Sequence, residues 1–138
     1  MSFAGVRNAL DQYSENAVRT GIESASPHQL IQMLLEGALD KIAAARGHME
    51  RGEIQPKGEQ VGSAISIIEG LKSSLDKDRG GEIARNLEDL YIYMERRLIE
   101  ANRDNDTALL DEVSDLLRQI KEAWDAIADQ AAQLATGA

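Results

Sequence analysis

The stretch Ser26–Gly37, SPHQLIQMLLEG, constrains the fold more than any other part of the chain. A serine followed three residues later by a glutamine has the capping-box spacing. The Ser26 hydroxyl accepts from the third helical residue's backbone N–H, and the Gln29 side chain reaches back to the N–H of Ser26. Pro27 falls at the first helical position, where its missing N–H costs nothing and its fixed φ is already helical. Ala25 and Leu30 flank the cap as a weak hydrophobic staple. From this start Leu30, Leu34, Ala38, Ile42, Ala45 and Met49 recur at three- or four-residue spacing, widened by Ile31, Leu35 and Leu39. The spacing predicts a helix to about Arg51, with Gly52 as its C-terminal cap.

The rest of the chain repeats the pattern. Pro56 opens a second long segment to about Asp76, with Val61, Ile65, Ile68, Leu71 and Leu75 inward. Gly58, Gly62 and Gly70 each lower its intrinsic helix propensity by up to ~1 kcal/mol, so packing must hold it. Asp78–Gly81 is a break. From Glu82 to about Asn102, Ile83, Leu87, Leu90, Met94, Leu98 and Ala101 keep near-heptad spacing. Asp106 then caps a last helix to about Leu134, its inward row being Leu109, Val113, Leu116, Ile120, Ala123, Ile127, Ala131 and Leu134. Those steps average near 3.5 residues, as in bundles with left-handed supercoil. Strand-forming residues are too sparse for a sheet. The expected fold is all-α: an antiparallel up-down four-helix bundle over 26–135, with helices near 27–51, 56–76, 82–102 and 107–134.

Residues 1–25 read as an N-terminal amphipathic helical arm or cap. Phe3, Val6, Leu10, Tyr13 and Ala17 share one helix face before Gly21 and the Ser24–Ser26 cluster interrupt it. Two readings stand: a further core helix, or a detachable arm, since a helix this short is marginal without tertiary support.

Charge and composition exclude several functions. The net charge is -9, from 24 acidic against 15 basic residues, which argues against a nucleic-acid partner. There is no cysteine for disulfides, thiol chemistry or a cysteine zinc site. No stretch approaches the ~20 apolar residues of a membrane span, and the first residues lack an export signal's apolar run, so a cytoplasmic protein without stable membrane insertion is expected. Di-iron bundles need Glu three residues before His, whereas Ala25 precedes His28 and Ala45 precedes His48. Both histidines read as solvated; a phosphotransfer bundle using His48 is the enzyme-class alternative. Gly80–Gly81 has no preceding strand to make it a phosphate loop, and Glu88–Asp89 and Asp111–Glu112 are neighbours that do not share a helix face. With no catalytic constellation, metal site or cofactor site in view, a binding module is the expectation.

Apolar residues off the inward rows are the binding signal. Leu110, Leu117 and Trp124 recur every seven residues, Ile92 and Ile99 do the same on the preceding helix, and Ile67 lies off the row of the helix before that. They form either a wide core stripe or an apolar groove for an amphipathic helix. A homodimer interface is a third use of the same residues.

The residues also carry a family resemblance. Tyr13, Asn16 and Val18 precede the run Ala25-Ser26-Pro27-His28-Gln29-Leu30-Ile31 and the run Met33-Leu34-Leu35-Glu36-Gly37-Ala38-Leu39. Then come Ala64-Ile65-Ser66-Ile67-Ile68-Glu69, Asn86-Leu87, Leu90-Tyr91-Ile92-Tyr93-Met94, Arg97-Leu98, Ala101-Asn102, Asn105-Asp106 and Ala123-Trp124. In this order and spacing, over about residues 8 to 127, the chain resembles the FliS family of bacterial flagellar export chaperones. The resemblance implies a capped four-helix bundle that binds the disordered C-terminal segment of flagellin, prevents premature polymerisation, and delivers it to the flagellar type III export apparatus. It also implies contact with the export gate and with other flagellar regulators. Leu35 departs from the family, which usually has Tyr or Phe there. Taken with the off-row residues, the candidate partner-binding set is Leu10, Tyr13, Leu35, Ile67, Leu71, Tyr91, Ile92, Ile99, Leu110, Leu117 and Trp124.

Overall fold

A computed structural model describes the backbone of residues 24–136 and the side chains of residues 24–127. The arm expected at 1–25, with Leu10 and Tyr13, therefore lies outside the described residues except for its last two. Four helices follow one another: α1 (Pro27–Glu50), α2 (Ile54–Ser73), α3 (Lys77–Asp104) and α4 (Thr107–Thr136).

Local chemistry sets most of the boundaries. Ser26 and Gln29 form the reciprocal capping box, with Gln29 N–H donating to Ser26 Oγ (3.1 Å) and Ser26 N–H to Gln29 Oε1 (2.8 Å). At its other end α1 closes in a Schellman turn: Glu53 N–H donates to the His48 carbonyl (2.9 Å) and Gly52 N–H to that of Met49 (3.3 Å). The turn needs a left-handed residue, and Gly52 supplies it at φ 71. Helix α2 begins at Ile54, two residues ahead of Pro56, and stops at Ser73. Asp76 caps a first turn of α3 through Arg79 N–H (3.2 Å), and Gly81 (φ 53, ψ -125) then interrupts the helix, so the expected break lies inside this element. Asn105 ends α3 in the left-handed region, and Asp106 Oδ1 accepts from Ala108 N–H (2.9 Å) at the start of α4.

The helices form a ring in which α1 and α3 each pack on both α2 and α4. Cross-helix bonds show the antiparallel order. Gln32, early in α1, donates to Asp125, late in α4 (2.8 Å), whereas Arg46, late in α1, pairs with Asp111, early in α4 (2.8 Å). Lys57 in the first turn of α2 donates to the Asn102 carbonyl (2.9 Å) and Asn105 Oδ1 (3.0 Å) at the end of α3. This lysine is buried, and its ammonium meets the negative end of the α3 dipole.

The core confirms the stripes and corrects their rotation. Leu30, Leu34 and Ile42 of α1, Ile68 and Leu71 of α2, and Met94 and Leu98 of α3 are wholly buried, as their rows predict. On α4 the centre of the stripe is Leu110, Val113 and Leu117, while Leu109, Leu116 and Ile120 are half-buried, Ala123 is exposed, and Ile127 is 50% exposed. Adjacent residues sit about 100° apart on a helix, so the pairs Leu109–Leu110 and Leu116–Leu117 offer two rows, and packing against both α1 and α3 selects the second. Ile67 is likewise in the core rather than off it. Ile83, expected inward, is 73% exposed, because α3 proper begins only after Gly81 and Ala84 takes the inward position.

Candidate functional site

At the end of the bundle where α1 starts, the inward rows of the described residues run out before these helices close over them. The result is a cavity of about 450 Å³ with an almost wholly apolar wall. The first turn of α1 contributes Pro27, His28 and Ile31; α4 contributes Ile120 and Trp124. Ile83, Leu87 and Tyr91 of α3 form the facing wall, and the α2–α3 corner supplies Leu75, Asp76 and Gly80. The capping box places the first group, since it fixes where α1 begins and which way its first turn faces.

Two ring systems define the site. The His28 and Trp124 rings are stacked, 4.4 Å between centroids and 6° from parallel. Trp124 Nε1 donates to the His28 carbonyl (3.0 Å), one of the bonds that tie late α4 to the first turn of α1. His28 is therefore not the solvated side chain its sequence position suggests, and among the described residues its buried Nε2 has no hydrogen-bond partner. Tyr91 is buried opposite, and burial pushes its hydroxyl up to about 12, so it stays protonated and neutral. His48 is engaged as well: its Nδ1 lies 2.7 Å from Glu53 Oε1, and His48 and then Arg51 hold Glu53 below the usual glutamate range.

A second group of sequence candidates lies along α3 beside α2. Ile92 is half-buried and Ile99 is 56% exposed, three residues before and four after Glu95 on one helix face. Lys72 of α2 reaches both Glu95 and Glu69 at 3.0 Å. Burial, and then the Glu69 carboxyl, push Glu95 up to about 7, while Glu69 is held low by its hydrogen bonds to Glu95 and Lys72.

Of the sequence candidates, the structure brings Tyr91 and Trp124 together in the cavity and leaves Ile92 and Ile99 outside it. Leu35, Ile67, Leu71, Leu110 and Leu117 are each no more than 1% exposed, so they act on any surface only through packing. For Ile67, Leu110 and Leu117 this corrects the off-row reading. Leu35, the family departure, is a core residue. The sequence reading missed His28, Ile31, Leu75, Ile83, Leu87 and Ile120 as a set. Its available signal was the glycine break at 80–81, where an apolar row loses its cover. Among the described residues, no group of three or more His, Cys, Asp or Glu is placed to hold a metal, and no helix is long and apolar enough to cross a membrane.

Comparison with known proteins gives a consistent result. The family model described as flagellar protein FliS matches residues 7–131. The chain is 52% identical over 119 residues to the flagellar secretion chaperone FliSB of Pseudomonas aeruginosa, covering 86% of this chain and 94% of the relative. It is 46% identical over 125 residues to the flagellar secretion chaperone FliS of Salmonella typhimurium, covering 90% and 93%. The corresponding Bacillus subtilis chaperone is 34% identical over 119 residues, covering 86% and 85%.

Proposed function

As this chain belongs to the FliS family, whose relatives are flagellar secretion chaperones, we propose that it holds the disordered C-terminal segment of flagellin in the cytoplasm and hands it to the flagellar type III export apparatus. The observation that carries this reading is the apolar cavity at the α1 end. Its volume of about 450 Å³ falls within the ~300–1,000 Å³ range of ligand pockets. An amphipathic helical turn offers apolar side chains at three- and four-residue spacing, the pattern such a cleft accepts. A disordered client loses entropy when it orders, and burial against Ile83, Leu87 and Trp124 offsets that loss. Holding the segment in a folded, covered form keeps it from pairing with other flagellin copies. The net charge of -9 opposes association between loaded chaperones.

The chain enters α1 beside this cavity, so residues 1–23, with the apolar face carrying Leu10 and Tyr13, are covalently within reach of it. In our reading that face packs on the bound client beside the cavity, and the export gate receives the loaded complex. The test is a titration of the full chain with a flagellin C-terminal peptide. Trp124 is the only tryptophan and lines the cavity, so its fluorescence reports occupancy, and far-ultraviolet circular dichroism reports induced helix. Saturable changes in both, weakened in Leu10→Ala and Tyr13→Ala, are expected. A silent Trp124 at peptide concentrations that saturate calorimetric binding overturns the cavity as the seat.

A further inference from the structure

We propose that residues 76–80 form a hinged strap that sets the width of the cavity, pivoting at Gly81 and latched by the Lys77–Glu88 ion pair. Gly81 has φ 53 and ψ -125 inside α3, a backbone conformation that side-chain-bearing residues rarely adopt, so the helical ladder does not run through it. A Cβ built there would meet nothing within 4 Å, so the space on that side of the pivot is open. The strap on its near side is self-contained. Asp76 caps it through Arg79 N–H (3.2 Å), and Gly80 N–H donates to the Asp76 carbonyl (2.8 Å). It can move as one turn without breaking these bonds.

Two sets of contacts attach it to the helices on either side. On the α2 side, Ser74 N–H donates to the Gly70 carbonyl (3.1 Å) and Leu75 N–H to that of Lys72 (3.3 Å), which anchors the strap's base. Across the pivot, Lys77 Nζ meets Glu88 Oε2 at 2.6 Å, three turns along the body of α3. The Lys77 side chain is 51% exposed, and an ion pair that open to water is a weak latch. The strap's placement gives the motion a consequence, because Asp76 and Gly80 line the cavity, as do Ile83 and Ala84 just past the pivot. Gly80 also approaches the helix body closely: a Cβ there would stand 2.8 Å from the Cβ of Ala84. Swinging the strap outward opens that wall while the His28–Trp124 wall, held by its stack and hydrogen bond, stays fixed. The hinge concerns the free chain; only the identity of what enters rests on the flagellin reading.

Amide hydrogen exchange read by mass spectrometry on the full chain tests this, with Glu88→Gln and Lys77→Gln as latch variants and flagellin C-terminal peptide as the probe. Either variant is expected to speed exchange in 75–81 about threefold and to leave 84–104 and the melting temperature unchanged. Peptide is expected to slow exchange in 75–81 as the strap closes on it. Exchange in 75–81 unchanged in both variants, or a rise running on into 84–104, overturns the hinge. If Trp124 responds to peptide while exchange in 75–81 stays fixed, the strap does not gate the cavity although the docking reading stands. If the latch variants behave as expected and Trp124 is silent, the hinge stands and the docking reading falls.

Discussion

Replacing Ile83 with alanine separates docking from folding more cleanly than any other change. The side chain lines the cavity yet is 73% exposed, so on the order of 100 Å² of apolar surface stands open in the free protein. At about 25 cal/mol per Å², covering that surface is worth roughly 2.5 kcal/mol. Alanine keeps the Cβ, and association never returns the full area term, so the expected loss is about 1–2 kcal/mol, or roughly five- to thirtyfold in Kd. Stability should not fall, because little packing is removed and alanine is the better helix former by a few tenths of a kcal/mol. Leu117→Ala makes the opposite control. It is wholly buried, so it should lose about 2–5 kcal/mol of stability. The assay pairs calorimetric titration with flagellin C-terminal peptide and thermal unfolding of each variant. Wild-type affinity in Ile83→Ala, with melting unchanged, would refute the argument that client covers the cavity rim.

Three further outcomes follow from the geometry. Lys57→Met should cost about 1–3 kcal/mol in urea unfolding, since it leaves the Asn102 carbonyl and Asn105 Oδ1 without their ammonium donor at a part-buried helix end. Ser26→Ala should lose about 1 kcal/mol by the same measurement, through the 3.1 Å bond from Gln29 N–H that it removes. The third concerns pH. Glu95 is raised from the ordinary 4.5 to about 7, so the folded state binds its proton more tightly than the unfolded one, and stability from this group is present at low pH and lost as pH rises through 7. Glu69, held low, contributes in the opposite sense, its stabilisation fading only on acidification below the ordinary glutamate value. Glu95→Gln should therefore be more stable than wild type at pH 8 by about 1 kcal/mol, with the difference shrinking toward pH 5; a wild-type profile in that variant would contradict the assignment.

What the sequence made legible was whatever depends on neighbours in the chain. The capping box, the glycine turn at position 52 and the Asp106 cap each rest on a few consecutive residues, and each is where the spacing placed it; the break expected at 78–81 narrows to Gly81 inside α3. Helix rotation was less legible. Leu109 and Leu110 satisfy the same periodicity, and only the position of α1 and α3 together decides which of them is buried. Ile83 fits its heptad row perfectly well, yet the helix that carries it is interrupted two residues earlier. His28 illustrates the limit most clearly. Its stacking partner is 96 residues away, and nothing in its own surroundings distinguishes it from a solvated first-turn histidine.

The cavity is best understood as the unfinished end of the core. Ile31 lies one residue past Leu30, Tyr91 one turn before Met94, and Trp124 one heptad past Leu117, so each wall of the site continues from a wholly buried core residue. Side chains entering there meet surfaces already held rigid from behind, which limits the entropy lost on the chaperone's side of the interface. The same continuity divides the candidate residues by consequence. Leu110 and Leu117 support the site from within, so their truncation acts through stability. Ile83 and Trp124 face the space itself, so their truncation acts on what occupies it. Leu35 belongs with the first group: with no exposed surface, it acts through how α1 packs.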